Sequence, residues 1–189
     1  MTLRITGGEL KGRRLSPFRG PRIRPTSDKV REAIFSLIGQ DAQGVRVLDL
    51  FAGTGSLGIE ALSRGASWVL FVDNSLHSIE LIRRNLSLCG YENFGYVLKK
   101  DLTRGLPKKC EMMKREIDLV FTDPPYDKDY IPQVLSELSE REILASPSIV
   151  VAETSKDEAL PARLGKLELV KTRVYGDTKI SIYGYGHLQ

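Results

Sequence analysis

Two short motifs of this 189-residue chain contain residue types that could do chemistry together. Asp123-Pro124-Pro125-Tyr126 directly follows an apolar run from Ile117 to Thr122, and a glycine-rich segment from Asp49 to Gly55 lies upstream. Proline donates no hydrogen bond to a neighbouring strand, so the two prolines predict the end of a buried strand. In open α/β sheets, ligands bind outside the carboxyl ends of the strands. We therefore expect Asp123 and Tyr126 to face whatever the glycine-rich segment holds.

The first motif is suited to a planar amine. The exocyclic amine of a nucleobase is a poor nucleophile, because its lone pair is delocalised into the ring. The carboxylate of Asp123 and the carbonyl oxygen of Pro124 could accept the two amine hydrogens and free that lone pair for an incoming methyl group. Tyr126 could stack on the base. The alternative is a proline-stiffened loop with an incidental tyrosine.

The glycine-rich segment continues to Gly58 and matches the pattern Gly-x-Gly-x-x-Gly, with Asp73 closing the next predicted strand. This pattern also fits a dinucleotide oxidoreductase. Asp49 beside the turn suits a cationic ligand better than a pyrophosphate, and no second mononucleotide-binding half follows. S-adenosylmethionine carries a sulfonium and an ammonium, so we predict it as the cofactor; each aspartate could instead be an ordinary loop acid. The predicted cofactor-binding residues are Asp49, Phe51, Gly53, Gly55, Asp73, Asp101 and Leu102.

Alternating strand and helix patterns position these motifs. Their order predicts an α/β fold, a Rossmann-like sheet that is mostly parallel with crossover helices. Two strand-like runs near the C-terminus, 166–174 and 179–185, predict a hairpin that adds an antiparallel strand near one edge. The predicted strands before them are 45–50, 68–72, 96–99, 117–122 and 148–152, and the predicted helices are 56–64, 76–88 and 131–144. Residues Leu3 to Leu15 predict a β-hairpin, and the pattern from Val30 to Ile38 predicts a helix that Thr26, Ser27 or Asp28 caps and Gly39 ends.

The formal net charge of +4 is distributed unevenly. Residues 1–31 carry nine basic and two acidic side chains, so the remaining chain is slightly acidic. Clustered arginines neutralise phosphates, and we predict that this segment binds nucleic acid rather than forming only a solvated face. The predicted nucleic-acid-binding residues, for which the resemblance described below implies RNA, are Arg4, Lys11, Arg13, Arg14, Arg22 and Arg24. We predict a basic extension over residues 1–40 and a catalytic domain over 41–189.

Other side chains predict little chemistry. Cys89 and Cys110 lie outside any Cys-x-x-Cys pair and only two histidines are present, so we expect neither a disulfide framework nor a metal site. Glu153 is expected to be an exposed acid at a strand end, with a place in the lining of the pocket as the alternative. The absence of a long apolar stretch and of a signal-like start predicts a cytoplasmic protein without a membrane segment. We further expect a monomer.

These motifs together resemble the bacterial 16S rRNA guanine-N2 methyltransferases of the RsmD type, nearly from end to end. The resemblance implies a class I methyltransferase fold, S-adenosylmethionine as methyl donor, and methylation of the exocyclic amine of one guanine. It also implies that the substrate is 16S rRNA within an assembling small ribosomal subunit. Asp123 and Tyr126 would lie at the target base, Asp73 at the ribose and Asp101 at the adenine of the cofactor. The resemblance is carried by the segments 4–8, 11–13, 24–32, 47–62 and 123–126.

Three rival functions remain open on the sequence. An adenine amino-methyltransferase acting on DNA or RNA would keep the chemistry, although a DNA enzyme usually needs a separate target-recognition domain. A non-catalytic rRNA-binding assembly factor would keep the basic segment but gain nothing from Asp123 opposite a base amine. A dinucleotide oxidoreductase rests on the glycine pattern alone.

Overall fold

The structure is a computed structural model that describes residues 3–16, 27–107, 115–125 and 130–186. The chain forms two compact units, residues 1–100 and residues 101–189. Among the residues described, no helix combines the length and apolar character that crossing a membrane requires.

The first unit is a three-stranded parallel sheet with helices. Strand β2 lies between β1 and β3, and Leu48 of β1 is level with Leu70 of β2, which is level with Tyr96 of β3. The first two strands are almost completely buried, as their continuous apolar sequences predict for strands covered on both faces. The elements are α1 (Asp28–Ile38), β1 (Arg46–Leu50), α2 (Ser56–Ser63), β2 (Trp68–Asp73), α3 (Leu76–Cys89) and β3 (Gly95–Lys99).

Serine caps begin two of these helices, and glycines end them. The Ser27 hydroxyl accepts a hydrogen bond from the Val30 amide, and Ser75 does the same for Ser78. Helix α1 ends at Gly39 and α3 at Gly90, both with positive φ. The predicted bounds of α1 are confirmed, with Ser27 as the cap.

Residues 3–16 fold back on themselves, as the predicted hairpin requires. The Ile5 amide donates to the Arg13 carbonyl at 2.9 Å, and the Leu15 amide donates to the Leu3 carbonyl at 2.9 Å. The only regular ladder pairing among these residues is a single antiparallel bridge between Arg4 and Arg14. The segment is therefore a looped pair of extended stretches rather than two full strands.

The second unit contains a mostly antiparallel sheet whose strand order is β4-β5-β8-β7-β6. Strands β4 and β5 are parallel, whereas β8 and β7 form the predicted hairpin and β6 pairs antiparallel with β7. The elements are a 3-10 turn (Leu102–Arg104), β4 (Ile117–Thr122), α4 (Tyr130–Glu140), β5 (Leu144–Ser155), β6 (Arg163–Leu164), β7 (Leu167–Tyr175) and β8 (Thr178–Tyr185).

Two predictions for this unit need correction. Helix α4 ends at Glu140 rather than at Leu144, and β5 runs from Leu144 to Ser155 rather than only from Ser148 to Ala152. The extension at the end of β5 arises because Glu153 to Ser155 continue the antiparallel pairing with β8. This pairing is a tertiary interaction, so the polar local sequence did not reveal it.

Candidate functional site

The glycine turn, which we define as residues 51–55, follows β1 and leads into α2. Phe51 has a φ of 57°, Gly53 of 54° and Gly55 of 73°, so three residues of the turn lie in the left-handed region. Gly55 is the residue that caps α2, and its amide donates to the Ala52 carbonyl at 2.7 Å. Glycine removes the strain of this geometry at two of the three positions, and Phe51 retains it.

Gly58 in the first turns of α2 has a packing role. A Cβ atom added there would lie 2.3 Å from the ring of Phe71 on β2, so only glycine allows the helix to approach the sheet this closely. The third glycine of the predicted pattern thus fits helix–strand packing, whereas Gly53 and Gly55 shape the turn.

Asp73 at the end of β2 ties the glycine turn to the start of α3. One carboxylate oxygen accepts a hydrogen bond from the Gly53 amide at 2.9 Å, and the other accepts from the Ser75 amide at 2.8 Å. The carboxylate is partly exposed, and each oxygen retains a further lone pair. Asp73 therefore fixes the turn and still offers acceptors to a bound ligand.

Asp49 of β1 is a buried carboxylate without a cationic partner among the residues that the structure describes. Only 2% of the residue is exposed, and one oxygen accepts from the Gly58 amide at 3.0 Å. Burial raises the pKa of Asp49 to about 8; the Gly58 hydrogen bond lowers it and the negative charge of Asp73 raises it. Two adjacent carboxylates, one of them desolvated, make this end of β1 and β2 a place where a cation is stabilised.

These features fit S-adenosylmethionine. The left-handed turn lets backbone amides approach a ligand closely, Asp73 supplies acceptors of the kind that ribose hydroxyls need, and Asp49 and Asp73 supply negative charge opposite a sulfonium or an ammonium. A dinucleotide would instead bring its own negative charges next to an uncompensated carboxylate.

Asp101 and Leu102, the other predicted cofactor-binding residues, begin the second unit. The Asp101 carboxylate accepts from the Thr103 amide at 3.0 Å and from the Thr103 hydroxyl at 2.7 Å, and Leu102 is 4% exposed. These hydrogen bonds are those of a residue that caps the 3-10 turn. The role of both residues at the cofactor stays a prediction.

Asp123 follows β4 directly, as the sequence predicts. Asp123 is half-buried, Pro124 is buried and Pro125 is exposed, while Tyr126 lies outside the described residues. The side chain of Thr122 immediately before it is buried, and its hydroxyl has no hydrogen-bond partner among the described residues. A carboxylate is thus held at a strand end by a buried proline.

Glu153 corrects an expectation from the sequence. It lies inside β5 rather than after it, opposite Ile180 of β8, and is only 6% exposed. Thr122 at the end of β4 pairs with Ala152 of β5. Asp123 and Glu153 are the residues that directly follow this pair. The burial of Glu153 follows from the pairing of β5 with β8, and the local sequence contains no signal for it.

The predicted RNA-binding residues differ in their surroundings. Arg4 forms an ion pair with Asp28 at 3.0 Å, and a guanidinium nitrogen of Arg13 donates to the Leu88 carbonyl at 2.6 Å. Lys11 and Arg14 are exposed, whereas Arg22 and Arg24 lie outside the described residues. The four described residues of this predicted RNA-binding set therefore lie at the surface, and two of them have protein partners.

Sequence patterns missed a buried network centred on Glu60 of α2. One Glu60 oxygen accepts from the Thr6 amide at 2.8 Å and from Arg31 Nε at 3.2 Å. The other accepts from the Thr6 hydroxyl at 2.8 Å and from Arg64 Nε at 3.0 Å. Arg31 is fully buried, so this member of the basic segment is a structural residue that anchors α1 and residues 3–16 to α2.

A cavity of about 540 Å³ lies elsewhere in the first unit. Its lining includes Gly65 and Ala66, which precede β2, so it opens at the amino ends of the parallel strands, away from the glycine turn. Glu9 and Asp41 also line it. This cavity is not the predicted cofactor site.

Comparison with known proteins assigns the family. The model of the family described as Conserved hypothetical protein 95 matches residues 3–184. The chain belongs to this family. A Bacillus subtilis (strain 168) relative named "Putative rRNA methyltransferase YlbH" is 38% identical over 183 residues, covering 96% of this chain and 98% of that protein. The Escherichia coli (strain K12) protein "Ribosomal RNA small subunit methyltransferase D" is 28% identical over 185 residues, covering 96% and 89% respectively. The predicted RsmD-like family is confirmed.

Solved structures show the fold that the family shares. An Escherichia coli structure described as "Putative methyltransferase yhhF" has a TM-score of 0.81 at 24% identity, covering 98% of this chain and 99% of that one. An RNA methyltransferase from Salinibacter ruber in complex with S-adenosyl-L-homocysteine has a TM-score of 0.64 at 16% identity, covering 88% and 96%. The predicted α/β fold of the class I methyltransferases is confirmed.

Proposed function

We propose that this chain transfers a methyl group from S-adenosylmethionine to the exocyclic N2 amine of a guanine in 16S rRNA. Methylation of rRNA is the activity that the names of the family relatives carry, and the neighbour bound to S-adenosyl-L-homocysteine supports the methyl donor. The observation that carries the proposal in this chain is the left-handed glycine turn, which Asp73 fixes beside the buried, uncompensated Asp49.

The residues of the first unit hold the methyl donor. S-adenosylmethionine, when bound, supplies an electrophilic methyl group on a sulfonium. Asp73 receives the ribose hydroxyls with the lone pairs that Gly53 and Ser75 leave free, and Asp49 stabilises the positive end of the donor by charge. The positive charge of the donor thereby favours ionisation of a carboxyl group that burial otherwise keeps mostly protonated at neutral pH.

The Asp123 segment prepares the acceptor nitrogen. The Asp123 carboxylate and the Pro124 carbonyl accept the amine hydrogens, which turns the nitrogen lone pair away from the ring. As the new C–N bond forms and the C–S bond breaks, the nitrogen becomes positively charged and passes one proton to Asp123. Tyr126 stacks on the target base.

The guanine target, the assembling small subunit as substrate and the monomeric state are parts of this proposal. An rRNA substrate also implies action in the cytoplasm, where ribosomes assemble. Residues 1–40 serve as the RNA-binding part and residues 41–189 as the catalytic part. An adenine amine is the nearest alternative target, because Asp123-Pro124-Pro125-Tyr126 would hold either base.

Methyl transfer to small ribosomal subunits from a strain that lacks this activity tests the proposal. We expect label from S-adenosylmethionine to appear as N2-methylguanosine after nucleoside analysis, with naked 16S rRNA and DNA assayed alongside. Label found only in methyladenine would show that the target base is adenine rather than guanine. No label in any substrate, despite tight cofactor binding, would contradict the proposed methyltransferase activity.

The Asp123→Ala variant tests the role of the acceptor carboxylate. We expect the turnover number to fall by about 10²- to 10³-fold, because the lost interaction matters mainly in the transition state. The dissociation constant for S-adenosylmethionine should stay within about twofold of the original, as measured by calorimetry. Asp157→Asn, on an exposed turn, is the matched control. Near-normal turnover of Asp123→Ala would rule out this role.

The basic segment is tested through salt dependence. Replacing Arg14 and Lys11 by alanine should weaken binding of 16S rRNA and reduce the slope of log affinity against log salt by about one for each phosphate that is no longer neutralised. Lys171→Ala in β7 is a control that removes one positive charge from another surface. An equal change of slope in both variants would place the RNA surface elsewhere.

A further inference from the structure

Helix α3 contacts both the glycine turn and the basic N-terminal segment. At its start, Asp73 joins the Ser75 amide to the Gly53 amide of the turn. Along its length, the Ile82 side chain lies so close to Gly55 that an added Cβ would be 3.0 Å from Ile82 Cγ1. At its end, the Leu88 carbonyl accepts a hydrogen bond from Arg13 at 2.6 Å.

Asn85 in this helix makes the direct connection. It is fully buried, and its Nδ2 donates to the Thr54 carbonyl of the glycine turn at 3.2 Å. Its Oδ1 accepts from the Ser16 amide at 2.8 Å. Both partners are backbone groups with a fixed hydrogen-bonding sense, so they also fix the orientation of the amide. One side chain thus bridges the backbone of the turn and the backbone of the basic segment.

We propose that Asn85 couples ligand binding at the glycine turn to the position of residues 11–16, which are part of the basic N-terminal segment. A shift of Thr54 that accompanies ligand binding is transmitted through the planar amide, because moving one end changes the hydrogen bond at the other. A ligand that orders Thr54 also orders the Asn85 amide and its bond to Ser16, so the second ligand meets an already ordered bridge. The coupling is therefore positive: S-adenosylmethionine or its product tightens RNA binding, and RNA tightens cofactor binding by the same factor. Asn85 is a positioning residue, and the RNA part of this inference rests on the proposed function.

Hydrogen exchange tests the coupling without any RNA. In the full-length protein, we expect saturating S-adenosyl-L-homocysteine to slow exchange of the Ser16 and Leu15 amides by about tenfold, a typical coupling strength. In Asn85→Leu, which is similar in size but lacks both hydrogen bonds, the same ligand should leave these amides unchanged. Ser78→Ala is the matched control, because Ser78 lies buried in the same helix and its hydroxyl has no partner among the described residues.

A second variant tests the same hydrogen bond in case Asn85→Leu does not fold. Ser16→Pro removes the donor at the segment end and leaves Asn85 and the turn in place, while its ring favours extended backbone at Leu15. The Leu15 amide should then lose its ligand-dependent protection. Wild-type protein without protection at Leu15 and Ser16 would overturn the proposal. A folded Asn85→Leu or Ser16→Pro variant that keeps the protection would also overturn it.

Affinity for 16S rRNA then separates this inference from the proposed function. The ratio of RNA dissociation constants without and with S-adenosyl-L-homocysteine should be about tenfold for wild type and Ser78→Ala, and about one for Asn85→Leu. The protein could show ligand-dependent protection of the Leu15 and Ser16 amides and yet neither bind nor methylate rRNA. That result would contradict the proposed substrate and would support the coupling through Asn85. An unchanged tenfold ratio in Asn85→Leu would contradict the coupling role.

Discussion

Two buried carboxylates beside α2 have opposite surroundings: Asp49 of β1 lies near the start of the helix, and Glu60 lies in its second half. Near the start of α2, Asp49 accepts one hydrogen bond from the Gly58 amide and has the negative Asp73 nearby. In the second half of the helix, Glu60 lies against the guanidinium groups of Arg31 and Arg64. Both residues are at most 2% exposed. The two carboxylates are therefore buried to the same depth, and they differ in the number of positively charged groups that contact them.

This difference distinguishes a structural acid from a binding acid. A buried carboxylate that arginines surround is satisfied within the protein and contributes to the fold only as long as its partners remain. A buried carboxylate with a single amide donor has a raised pKa and gains most from an external cation. Asp49 belongs to the second kind, which supports its place at the cofactor.

The largest effect is expected from Glu60→Ala. Removing this carboxylate leaves buried Arg31 without its partner in α2, so the free energy of unfolding should fall by about 3–5 kcal/mol in denaturant titrations. Glu168→Ala is the control, since Glu168 forms an exposed ion pair with Arg163 and should change stability little. Equal stabilities of the two variants would show that Glu60 is no more structural than a surface acid.

A pH series of Asp49→Asn sharpens the contrast near the start of the helix. The pKa of Asp49 is raised from 3.8 to about 8, so the folded protein binds one more proton than the unfolded chain between these values. Its contribution to stability is complete below about pH 4 and declines as pH rises through 8, by up to about 1.4 kcal/mol per pH unit. The difference between wild type and Asp49→Asn in cofactor-free unfolding measures this slope. A difference that does not vary with pH would contradict the raised pKa.

The same variant should lose cofactor affinity above pH 8, where Asp49 is ionised. We expect binding of S-adenosylmethionine to weaken on the order of tenfold in Asp49→Asn, because one charge interaction in a buried site is lost. Wild-type affinity should rise with pH up to about 8 and then level off, whereas Asp49→Asn should lack this contribution. Calorimetry in buffers of different ionisation enthalpy would detect the released proton.

The smallest effect is expected from Thr6→Val. This change removes the hydroxyl that donates to Glu60 but keeps the amide donor and the side-chain shape, so unfolding should become easier by about 1 kcal/mol. Cofactor affinity should not change, because Thr6 acts at the Glu60 end of α2. If Thr6→Val lost as much cofactor affinity as Asp49→Asn, the distinction between a structural acid at Glu60 and a binding acid at Asp49 would be wrong.

Sequence patterns predicted the elements whose signals are local. The caps and glycine stops of α1 and α3, the buried strands and the glycine turn all depend on residue types at short spacing, and their bounds agree with the structure to within about two residues. Asp73 and Asp123 were placed at strand ends for the same reason.

The remaining features depend on interactions between residues distant in sequence. Glu60, Arg31 and Asn85 look like ordinary polar residues of amphipathic helices, and their burial arises only when residues 3–16 pack against α2 and α3. Glu153 was misjudged because its burial depends on pairing with β8. Periodicity alone cannot reveal such networks, since it reports the face of an element and not what covers that face.

The N-terminal segment also has a consequence for biosynthesis. Its hydrogen bonds span 54 residues from Thr6 to Glu60, 69 from Ser16 to Asn85 and 82 from Tyr91 to Glu9. A growing chain emerges from its N-terminus, so residues 3–16 leave the ribosome well before the helices that hold them have been translated. Residues 3–16 therefore become fixed only after their partners, which lie as far along the chain as Tyr91, have followed them out of the ribosome.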